Sequence, residues 1–566
     1  SRGDEGDIQL FTLGAKNFKF FDYINNSRNI SDIKFLDFNG DGTQDILINS
    51  WGGNGNDHLK LYNSSSDGGY NEVFTAPGLY DAKIELIDIN NDGEKEIVHI
   101  GRTSEASNSQ LKVYVYQQEG NVLNGTPIDI SGQFGALKYA AYGFGNIDND
   151  DDIDFAITGF SNSGQKSNIY LNETVYTETI APIYTQIATE FPTAVESTLD
   201  FFDYDGDGDL DMALTGQGID GVMFKILQNN GLTGDALSFT EVQNTGLIPI
   251  REAKVDFGDY NSDGYADILY SGKVSGQGQV TKLVEFDPET QTYVESDFDL
   301  SDIVNASIAF GDVDGDNDLD FTIAGESTAN NNNIIKTYLN VRNESAIVQN
   351  STNTSGRRPI EFVVNEKPTQ PAGLTTEVLS YDNELETYKV KFTWEASTDD
   401  YTSQNGLTYA LKVGTSDGDD DIMKINSLTN GYRLSAGKGN VEHKKEWVLN
   451  LPNNDYFWSV QAIDAAFSGS ELSETKTINP AISLSVKQYQ LLDVSVYPNP
   501  VNNDFVNIVS PLSETKQIHM YDLQGRTIIS KNMTGNRLNV SNVSNGVYLL
   551  KVIIGAKQKI VKLIIN

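Results

Sequence analysis

Aspartate occupies every second position of the stretch DYDGDGDLD, at Asp203, Asp205, Asp207, Asp209 and Asp211. Carboxylates this close together repel one another unless a counter-charge lies among them. A hard divalent cation would supply that charge, because calcium takes several oxygen ligands at short range. Side chains at positions 1, 3, 5 and 9 and the backbone carbonyl at position 7 could converge on one ion, so the spacing predicts a calcium site.

Two further positions define the kind of loop. Gly208 at position 6 allows the sharp turn that wraps a cation, because glycine adopts left-handed backbone angles freely. The spacing matches the first half of an EF-hand loop, but Leu214 stands at position 12, where the EF-hand has a glutamate ligand. We therefore expect a calcium loop that leads into a β-strand and not into a helix.

The same spacing occurs six times, with a period of 51 to 58 residues, and we number the segments loops 1 to 6. Loop 4 is the one described above. The other predicted ligands are Asp37, Asn39, Asp41, Thr43 and Asp45 in loop 1, Asp88, Asn90, Asp92, Glu94 and Glu96 in loop 2, Asn146, Asp148, Asp150, Asp152 and Asp154 in loop 3, Asp259, Asn261, Asp263, Tyr265 and Asp267 in loop 5, and Asp312, Asp314, Asp316, Asp318 and Asp320 in loop 6. The residue at position 7 would contribute its backbone carbonyl. A solvated acidic turn is the alternative for one such loop alone, but six copies of one pattern favour about six calcium ions.

Apolar residues around the loops indicate β-strands. Position 2 is always apolar, and positions 10 to 12 form runs such as ILI, FAI and MAL, which are typical of a strand buried on both faces. Later in each repeat, segments such as NIYLNET and MFKILQNN read as a further strand that ends in a turn. A repeat of this length with four strands is typical of a β-propeller blade, so the predicted fold is all-β.

Phenylalanine-glycine pairs precede three of the loops, in YGFGNID, VDFGDYN and IAFGDVD. With the loops, they resemble the FG-GAP/VCBS repeat over about residues 8 to 350. The resemblance implies a calcium-bearing propeller, commonly of seven blades, related to the integrin α-subunit head. The stretch IQLFTLGAKNFKFFD resembles the last two strands of a blade without its own loop. We therefore expect a seven-bladed propeller whose N-terminal part is missing, with residues 8–22 packed beside the first complete blade.

Charge and composition restrict the class of protein. The 566 residues include 40 Lys and Arg against 80 Asp and Glu, a formal net charge of −40, which argues against a nucleic-acid partner. The sequence contains no apolar run long enough to span a membrane. Cysteine is absent, so disulfides cannot stabilise the chain, and calcium loops would do so in a calcium-rich medium outside the cytosol.

A second region begins after NTSGRRP, where NEKPTQPAGL reads as a linker. The segments YKVKFTWEAS, LTYALKVGTS and EWVLNLPNNDYFWSVQAID alternate with the period of strands, and Trp394 and Trp458 are candidate core residues. The region resembles a fibronectin type III module, in which Tyr456 would form the tyrosine corner. Such a module usually acts as a spacer or a docking surface, and here it is expected to act as a stalk.

The last part of the chain differs in charge. From residue 481 onward there are nine Lys and Arg and four Asp and Glu, a net charge of +5, against −45 for the rest. The motifs Tyr497-Pro498-Asn499-Pro500, Asp522 with Gly525-Arg526, and Gly546-Val547-Tyr548-Leu549 resemble the type A C-terminal sorting domain of type IX secretion substrates in Bacteroidetes. A third structural sandwich with a basic surface is the alternative. The predicted domains are a propeller (1–355), a fibronectin-like β-sandwich (356–482) and a sorting-domain β-sandwich (483–566).

No arrangement of residues indicates catalysis. The four histidines, His58, His99, His443 and His519, lie in unrelated contexts, and His99 reads as a core residue. The calcium loops account for the paired carboxylates, and a glycosidase pair among the other acids stays the alternative. The RGD triplet at Arg2–Asp4 in an acidic terminus reads as chance. The sequence therefore predicts no enzymatic activity, catalytic residue or organic cofactor.

The predicted function is a calcium-stabilised cell-surface adhesin of a gliding or biofilm-forming bacterium, exported by type IX secretion. Its C-terminal domain would meet the outer-membrane shuttle barrel and translocon, and the propeller would bind a glycan or protein ligand through its loops. The alternative is the non-catalytic part of a secreted enzyme, such as a glycan-degrading one, whose catalytic domain lies upstream.

Overall fold

The computed structural model has an all-β fold of antiparallel sheets, and a short 3₁₀ helix, η1 (Ser131–Gln133), lies among its strands. It describes residues 7–566 except 15–16, 26–28, 40–42, 52–57, 65–68, 91–94, 105–110, 120–121, 136, 151, 162, 173–181, 188–190, 234–235, 297, 299, 314–317, 330–331, 341–364, 383–385, 429, 435, 482–493, 511–514, 523–525 and 555–556. The chain divides into two compact units, Ser1–Pro480 and Ala481–Asn566. Among the described residues, no helix has the length and apolar character needed to cross a membrane.

A hairpin of β1 (Asp7–Gly14) and β2 (Asn17–Asn25) comes first. Six antiparallel sheets follow, and their strands pair in chain order except for a short inserted hairpin in sheet 2. Sheet 1 contains β3 (Asn29–Leu36), β4 (Asp45–Trp51), β5 (His58–Ser64) and β6 (Tyr70–Pro77). Sheet 2 contains β7 (Tyr80–Ile87), β8 (Glu96–Arg102), β9 (Leu111–Tyr116) and β12 (Ile128–Asp129), and the inserted hairpin is β10 (Gln118–Glu119) and β11 (Val122–Leu123).

The next sheets repeat this plan. Sheet 3 contains β13 (Lys138–Gly145), β14 (Asp154–Ser161), β15 (Gly164–Asn172) and β16 (Tyr184–Ile187). Sheet 4 contains β17 (Leu199–Phe202), β18 (Asp211–Gly218), β19 (Gly221–Thr233) and β20 (Ala236–Glu241). Sheet 5 contains β21 (Arg251–Gly258), β22 (Asp267–Val274), β23 (Gly278–Asp287) and β24 (Thr292–Glu295), and in sheet 6 the described strands are β25 (Ile303–Gly311), β26 (Asp320–Ser327) and β27 (Asn333–Tyr338).

Consecutive sheets pack against one another through apolar side chains. Ile84 of sheet 2 shares a buried cluster with Leu47 and Leu59 of sheet 1, and the same holds for each later pair of neighbours. Burying apolar surface on both faces is the main stabilising term for such strands, and it explains the apolar runs after each loop. The all-β prediction is confirmed, whereas the number of blades and the place of β1 and β2 beside sheet 1 stay predictions.

The first strands of the sheets also meet through polar contacts. These hydrogen bonds run from Ile84 N to Asp32 Oδ2 (2.7 Å), from Thr198 Oγ1 to the Ala253 carbonyl (2.6 Å) and from Phe310 N to Asp256 Oδ2 (2.7 Å). Lys254 of sheet 5 is within electrostatic range of Asp32 and Lys83 of sheets 1 and 2. The first strands therefore face a common charged space.

Each of sheets 2 to 6 has a strained residue in or just before its first strand, at the end opposite the loops. These left-handed, non-glycine residues, with φ between 48° and 52°, are Asp81, Tyr139, Glu196, Glu252 and Asn305. The backbone beside them lies close to a glycine of the second strand: a Cβ on Gly101 would lie 3.0 Å from the Tyr80 carbonyl oxygen, and one on Gly325 would lie 2.8 Å from the Val304 carbonyl oxygen. Glycine therefore lets each distorted segment approach its neighbour.

Residues 365–480, which we call the cap, form two more sheets. One contains β28 (Thr375–Asp382), β29 (Thr387–Thr393) and β31 (Glu446–Leu451), and the other contains β30 (Thr408–Gly414), β32 (Tyr456–Ile463) and β33 (Lys476–Ile478). Trp394 and Trp458 are buried, as predicted. The Tyr456 hydroxyl donates a hydrogen bond to the Pro452 carbonyl at 3.0 Å, which is the contact expected of a tyrosine corner.

The second unit, Ala481–Asn566, also contains two antiparallel sheets. One sheet contains β34 (Ser495–Tyr497), β35 (Phe505–Val509) and β38 (Arg537–Asn539), and the other contains β36 (Lys516–Tyr521), β37 (Thr527–Met533), β39 (Gly546–Ile554) and β40 (Lys557–Ile565). Buried side chains of both sheets, among them Val506, Ile518 and Leu550, form one core. Arg526 binds Asp522 through its Nε at 2.7 Å, so two of the motif residues form an ion pair, while Gly525 lies outside the described residues.

Candidate functional site

The acidic residue at position 9 of each loop is the first residue of the second strand of its sheet. It pairs with the last residue of the first strand, as in Phe202 with Asp211 and Gly258 with Asp267. Each of these acidic side chains is buried. A buried carboxylate needs hydrogen-bond donors or a counter-charge, and the loops supply donors from two directions.

The position-9 carboxylate connects its loop to the third strand. In loop 4, Asp211 accepts Tyr204 N at 2.8 Å on one oxygen and Asn229 N at 2.7 Å on the other. The same pair of bonds occurs in four other loops, from Phe38 N and Ser64 N to Asp45, from Ile147 N and Asn172 N to Asp154, from Tyr260 N and Phe286 N to Asp267, and from Val313 N and Asn340 N to Asp320. In loop 2, Glu96 accepts Ile89 N and the Asn90 side chain. These carboxylates therefore tie position 2 of each loop to the start of the second strand.

Side-chain amides then join sheets 2, 3, 4 and 6 to the loop before each of them. Asn229 Nδ2 of sheet 4 donates to the Ile147 carbonyl of loop 3 at 2.8 Å and to the Leu210 carbonyl at 3.1 Å. The corresponding bonds to the position-2 carbonyl run from Gln118 to Phe38, from Asn172 to Ile89 and from Asn340 to Tyr260. Sequence reasoning noted the asparagines after the third strand only as turn residues. Asparagine recurs after the apolar third strand of several repeats, and this recurrence could have indicated a structural role for its side chain.

Loop 4 brings three predicted ligands together. Oxygen atoms of Asp203, Asp205 and Asp211 lie within 4.8 Å of one another, and this is the one such acidic group among the described residues. Asp207 at position 5 does not join it, and its Oδ1 accepts Asp209 N at 3.0 Å. The Oδ1 atoms of Asp205 and Asp209 are buried without a hydrogen-bond partner. An all-oxygen set with unused buried acceptors fits a hard divalent cation such as calcium.

Loop 5 adopts a similar turn. Asp259 accepts Asp263 N at 3.0 Å and Gly264 N at 2.7 Å, as Asp203 accepts Asp207 N and Gly208 N in loop 4. In loop 3, Asp150 Oδ1 accepts Asp152 N at 2.9 Å, matching the bond from position 7 to position 5 in loop 4. The predicted ligands Asp41, Asp92, Glu94, Asp314 and Asp316 lie outside the described residues.

The electrostatics of the loops demand neutralisation. Burial and then repulsion from neighbouring aspartates raise the pKa of Asp152 to about 9, and burial is the main cause that raises the pKa of Asp203 to about 7 and that of Asp211 to about 8. Burial likewise raises the pKa values of Asp259 and Asp267 well above their usual range. Protons and cations would each reduce this repulsion, so the two compete for the loop carboxylates.

The cap contacts the loop end of the sheets. Ser403 Oγ donates to the Gly206 carbonyl at 2.7 Å, Lys438 Nζ donates to the Phe201 carbonyl at 3.2 Å, and Lys444 Nζ donates to the Asn149 carbonyl. In loop 5, Asp259 N donates to the Ala465 carbonyl at 3.1 Å. Ala466 is buried in one cluster with Tyr260, Phe310 and Leu319. These residues therefore lie against loops 3 to 5, a contact that the predicted stalk did not include.

His99 has the core role predicted for it. It is buried, its Nε2 lies 2.8 Å from Asn49 Oδ1, and that amide donates to the Leu79 carbonyl at 2.9 Å. Burial lowers the pKa of His99 to about 3. The imidazole is therefore neutral and structural near neutral pH.

Comparison with known families gives two matches. Residues 203–270, which span loops 4 and 5, match the model of an FG-GAP-like repeat. Residues 495–566 match the model of a secretion-system C-terminal sorting domain. The chain is exported by type IX secretion to the cell surface or the extracellular space. The basic C-terminal unit is thus the export signal, as predicted, and its fit to the secretion machinery agrees with the partner expected from the sequence.

Other comparisons add little. No curated protein matches the chain. Among solved structures, the chain is similar to the fructofuranosidase from Schwanniomyces occidentalis complexed with fructose, at 9% identity and a TM-score of 0.27, over 95% of this chain and 90% of that one. A likeness this distant supports no conclusion about activity.

Replacing Asn229 with alanine should lower the free energy of unfolding by about 1–3 kcal/mol, because two buried carbonyls lose their donor. Asn230→Ala is the matched control, since this neighbouring asparagine is exposed and bonds only to exposed partners. We expect the control to change stability by less than about 0.5 kcal/mol. Chemical denaturation of both variants measures the difference, and equal stabilities would contradict the role of the amide.

The calcium-free protein should lose stability as pH rises from 6.5 to 9. In this range the unfolded aspartates are ionised, whereas the folded chain still holds protons on groups such as Asp203, Asp211 and Asp152, whose pKa values are about 7, 8 and 9. Buried histidines do not oppose the trend, because their effect lies below pH 6.5. Melting temperatures in chelator and in calcium should diverge with rising pH, and parallel curves would contradict the prediction.

Proposed function

We propose that the chain is an exported cell-surface binding protein whose sheets form a calcium-stapled, seven-bladed propeller with a fibronectin type III-like cap. One observation carries the cation assignment: three carboxylates of loop 4 converge, and buried oxygens beside them accept no hydrogen bond. The repeated loop spacing extends the assignment to about six ions. The sorting domain supports a surface location in a bacterium with type IX secretion, where an adhesin would act.

The ligand surface is the end of the sheets opposite the loops. The cap covers the loop end through backbone contacts to loops 3, 4 and 5. At the other end lies a cavity of about 300 Å³ whose lining includes Glu252, Lys254, Lys273, Gln279 and Asn305. A small concave site with many hydrogen-bonding groups suits a hydroxylated ligand such as a glycan. This proposal differs from the sequence-based expectation that the loops present the ligand.

Calcium should raise the melting temperature of the protein, because a ligand bound only by the folded state stabilises it. Asp205→Ala should remove one ion from the binding stoichiometry measured by titration calorimetry, since Asp205 supplies one of the converging oxygens of loop 4. Asp220→Ala, at an exposed turn between β18 and β19, is the control and should leave the stoichiometry unchanged. Absence of any calcium-dependent heat or melting shift would reject the cation assignment.

A glycan array probed with the full chain tests the ligand class. Asn305→Gly should weaken selective binding at least about tenfold, because it removes a side chain from the cavity and keeps the left-handed backbone. Asn244→Gly is matched to it, since Asn244 is also exposed, with φ of 59°, and does not line that cavity. No selective binding, or equal binding by both variants, would count against a glycan site at this end.

Deleting residues 491–566 should stop export, so that the truncated protein accumulates in the periplasm of its native host. Fusing the same segment to a foreign passenger should carry the passenger to the surface. Surface labelling and cell fractionation measure both results. The variant Arg526→Ala, which removes the ion pair with Asp522, shows whether that contact takes part. Normal display of the truncated protein would contradict the role assigned to the segment.

A further inference from the structure

The contacts between the cap and loops 3 to 5 use backbone atoms of the turns that would wrap a cation. The carbonyls of Asn149 and Gly206, both at position 4, accept bonds from Lys444 and Ser403. The amide of Asp259, at position 1 of loop 5, donates to the Ala465 carbonyl at 3.1 Å. The positions of these backbone groups follow from the turn itself, so the fit of the cap depends on the conformation of the loops.

The approach of the two surfaces is close. A Cβ built on Gly264, at position 6 of loop 5, would lie 2.2 Å from the Tyr401 carbonyl oxygen, and one on Gly208, at position 6 of loop 4, would lie 2.8 Å from that of Asn405. At such distances a small change in the turn breaks the contact, because packed interfaces have little free space.

The contact between the cap and loop 5 brings two acidic side chains close together. Asp464 of the cap is buried and lies close enough to Asp259 to repel its carboxylate. Lys438 and Lys444 of the cap donate to the backbone carbonyls of Phe201 and Asn149. A buried like-charge pair is costly unless a positive charge lies nearby, and a cation in loop 5 would supply it.

We propose that the acidic loop end is a docking surface for residues 365–480 and that cation binding by loops 3 to 5 controls whether the cap is seated on it. The proposal rests on the cation binding proposed above. With cations bound, the turns are ordered and their charge is neutralised, so the cap seats. Without them the cap separates from the loops while its own two sheets stay folded.

An engineered disulfide can report the seated state. The chain contains no cysteine, so an introduced pair has no competing thiols. A Cβ on Gly206 would lie 3.9 Å from Ser403 Cβ, within the range of about 3.5–4.5 Å found in disulfides. Position 4 accepts side chains with left-handed backbone angles in other loops, namely Asn149 with φ of 65° and Ser262 with φ of 59°. The double variant Gly206→Cys/Ser403→Cys therefore suits loop 4.

Oxidation of this variant should be about tenfold faster in calcium than in chelator, a typical size for coupling between sites. The control pair Thr369→Cys/Thr398→Cys lies within the cap, where the two hydroxyl oxygens are 3.3 Å apart. Its oxidation rate should not depend on calcium. Because coupling is reciprocal, the oxidised Gly206–Ser403 variant should also bind calcium more tightly than its reduced form.

Hydrogen exchange on the unaltered chain gives a second measurement that needs no variant. Chelation should speed exchange in peptides covering residues 401–406 and leave those covering β29 and β32 unchanged. Calcium binding seen by calorimetry together with calcium-independent crosslinking and exchange would overturn the coupling alone. Absence of calcium binding would reject the proposed cation sites and the coupling together, so the two failures are distinguishable.

Discussion

The buried carboxylate at the start of each second strand is the interaction on which the rest of the structure depends. In loop 4, Asp211 holds the loop through Tyr204 N and the third strand through Asn229 N. Its two oxygens therefore fix three segments of the chain at one point. The same residue faces the other acids of the loop, so the group that organises each sheet also creates the local excess of negative charge.

Because of this double role, the conformation of the loops and the contact with the cap both depend on the negative charge at the loop end. Donating amides satisfy the position-9 carboxylate but do not neutralise it, and burial raises its pKa. Three kinds of positive charge can reduce the repulsion among the loop carboxylates, namely protons, cations and the positive side chains of neighbours. The cap brings Lys438 and Lys444 to the loop end, yet it also brings Asp464 close to Asp259. The cap therefore adds both positive and negative side chains to the loop end.

The sequence predicted the elements whose signal lies in side-chain type and spacing. The apolar residues at position 2 and after each loop predicted the strands. Trp394 and Trp458 were predicted as core residues of the cap, and both are buried. The seat of the cap could not be predicted, because its contacts are made by backbone groups such as the carbonyls of Gly206 and Ala465. Backbone groups are present at every residue and leave no pattern in the sequence. The role of the glycines opposite the strained first strands could not be predicted either, because glycine occurs in turns, bulges and close contacts alike.

The amide links between sheets have a consequence for how such an array can diverge. Each link, such as the one from Asn229 to the Ile147 carbonyl, needs a particular side chain on one partner and only a main-chain oxygen on the other. A repeat therefore does not have to match the residues of its predecessor, and Gln118 performs in sheet 2 the task that asparagine performs elsewhere. Duplication or exchange of a whole unit keeps the link intact. Neighbouring units can then accumulate substitutions independently, as the varied loop residues here illustrate.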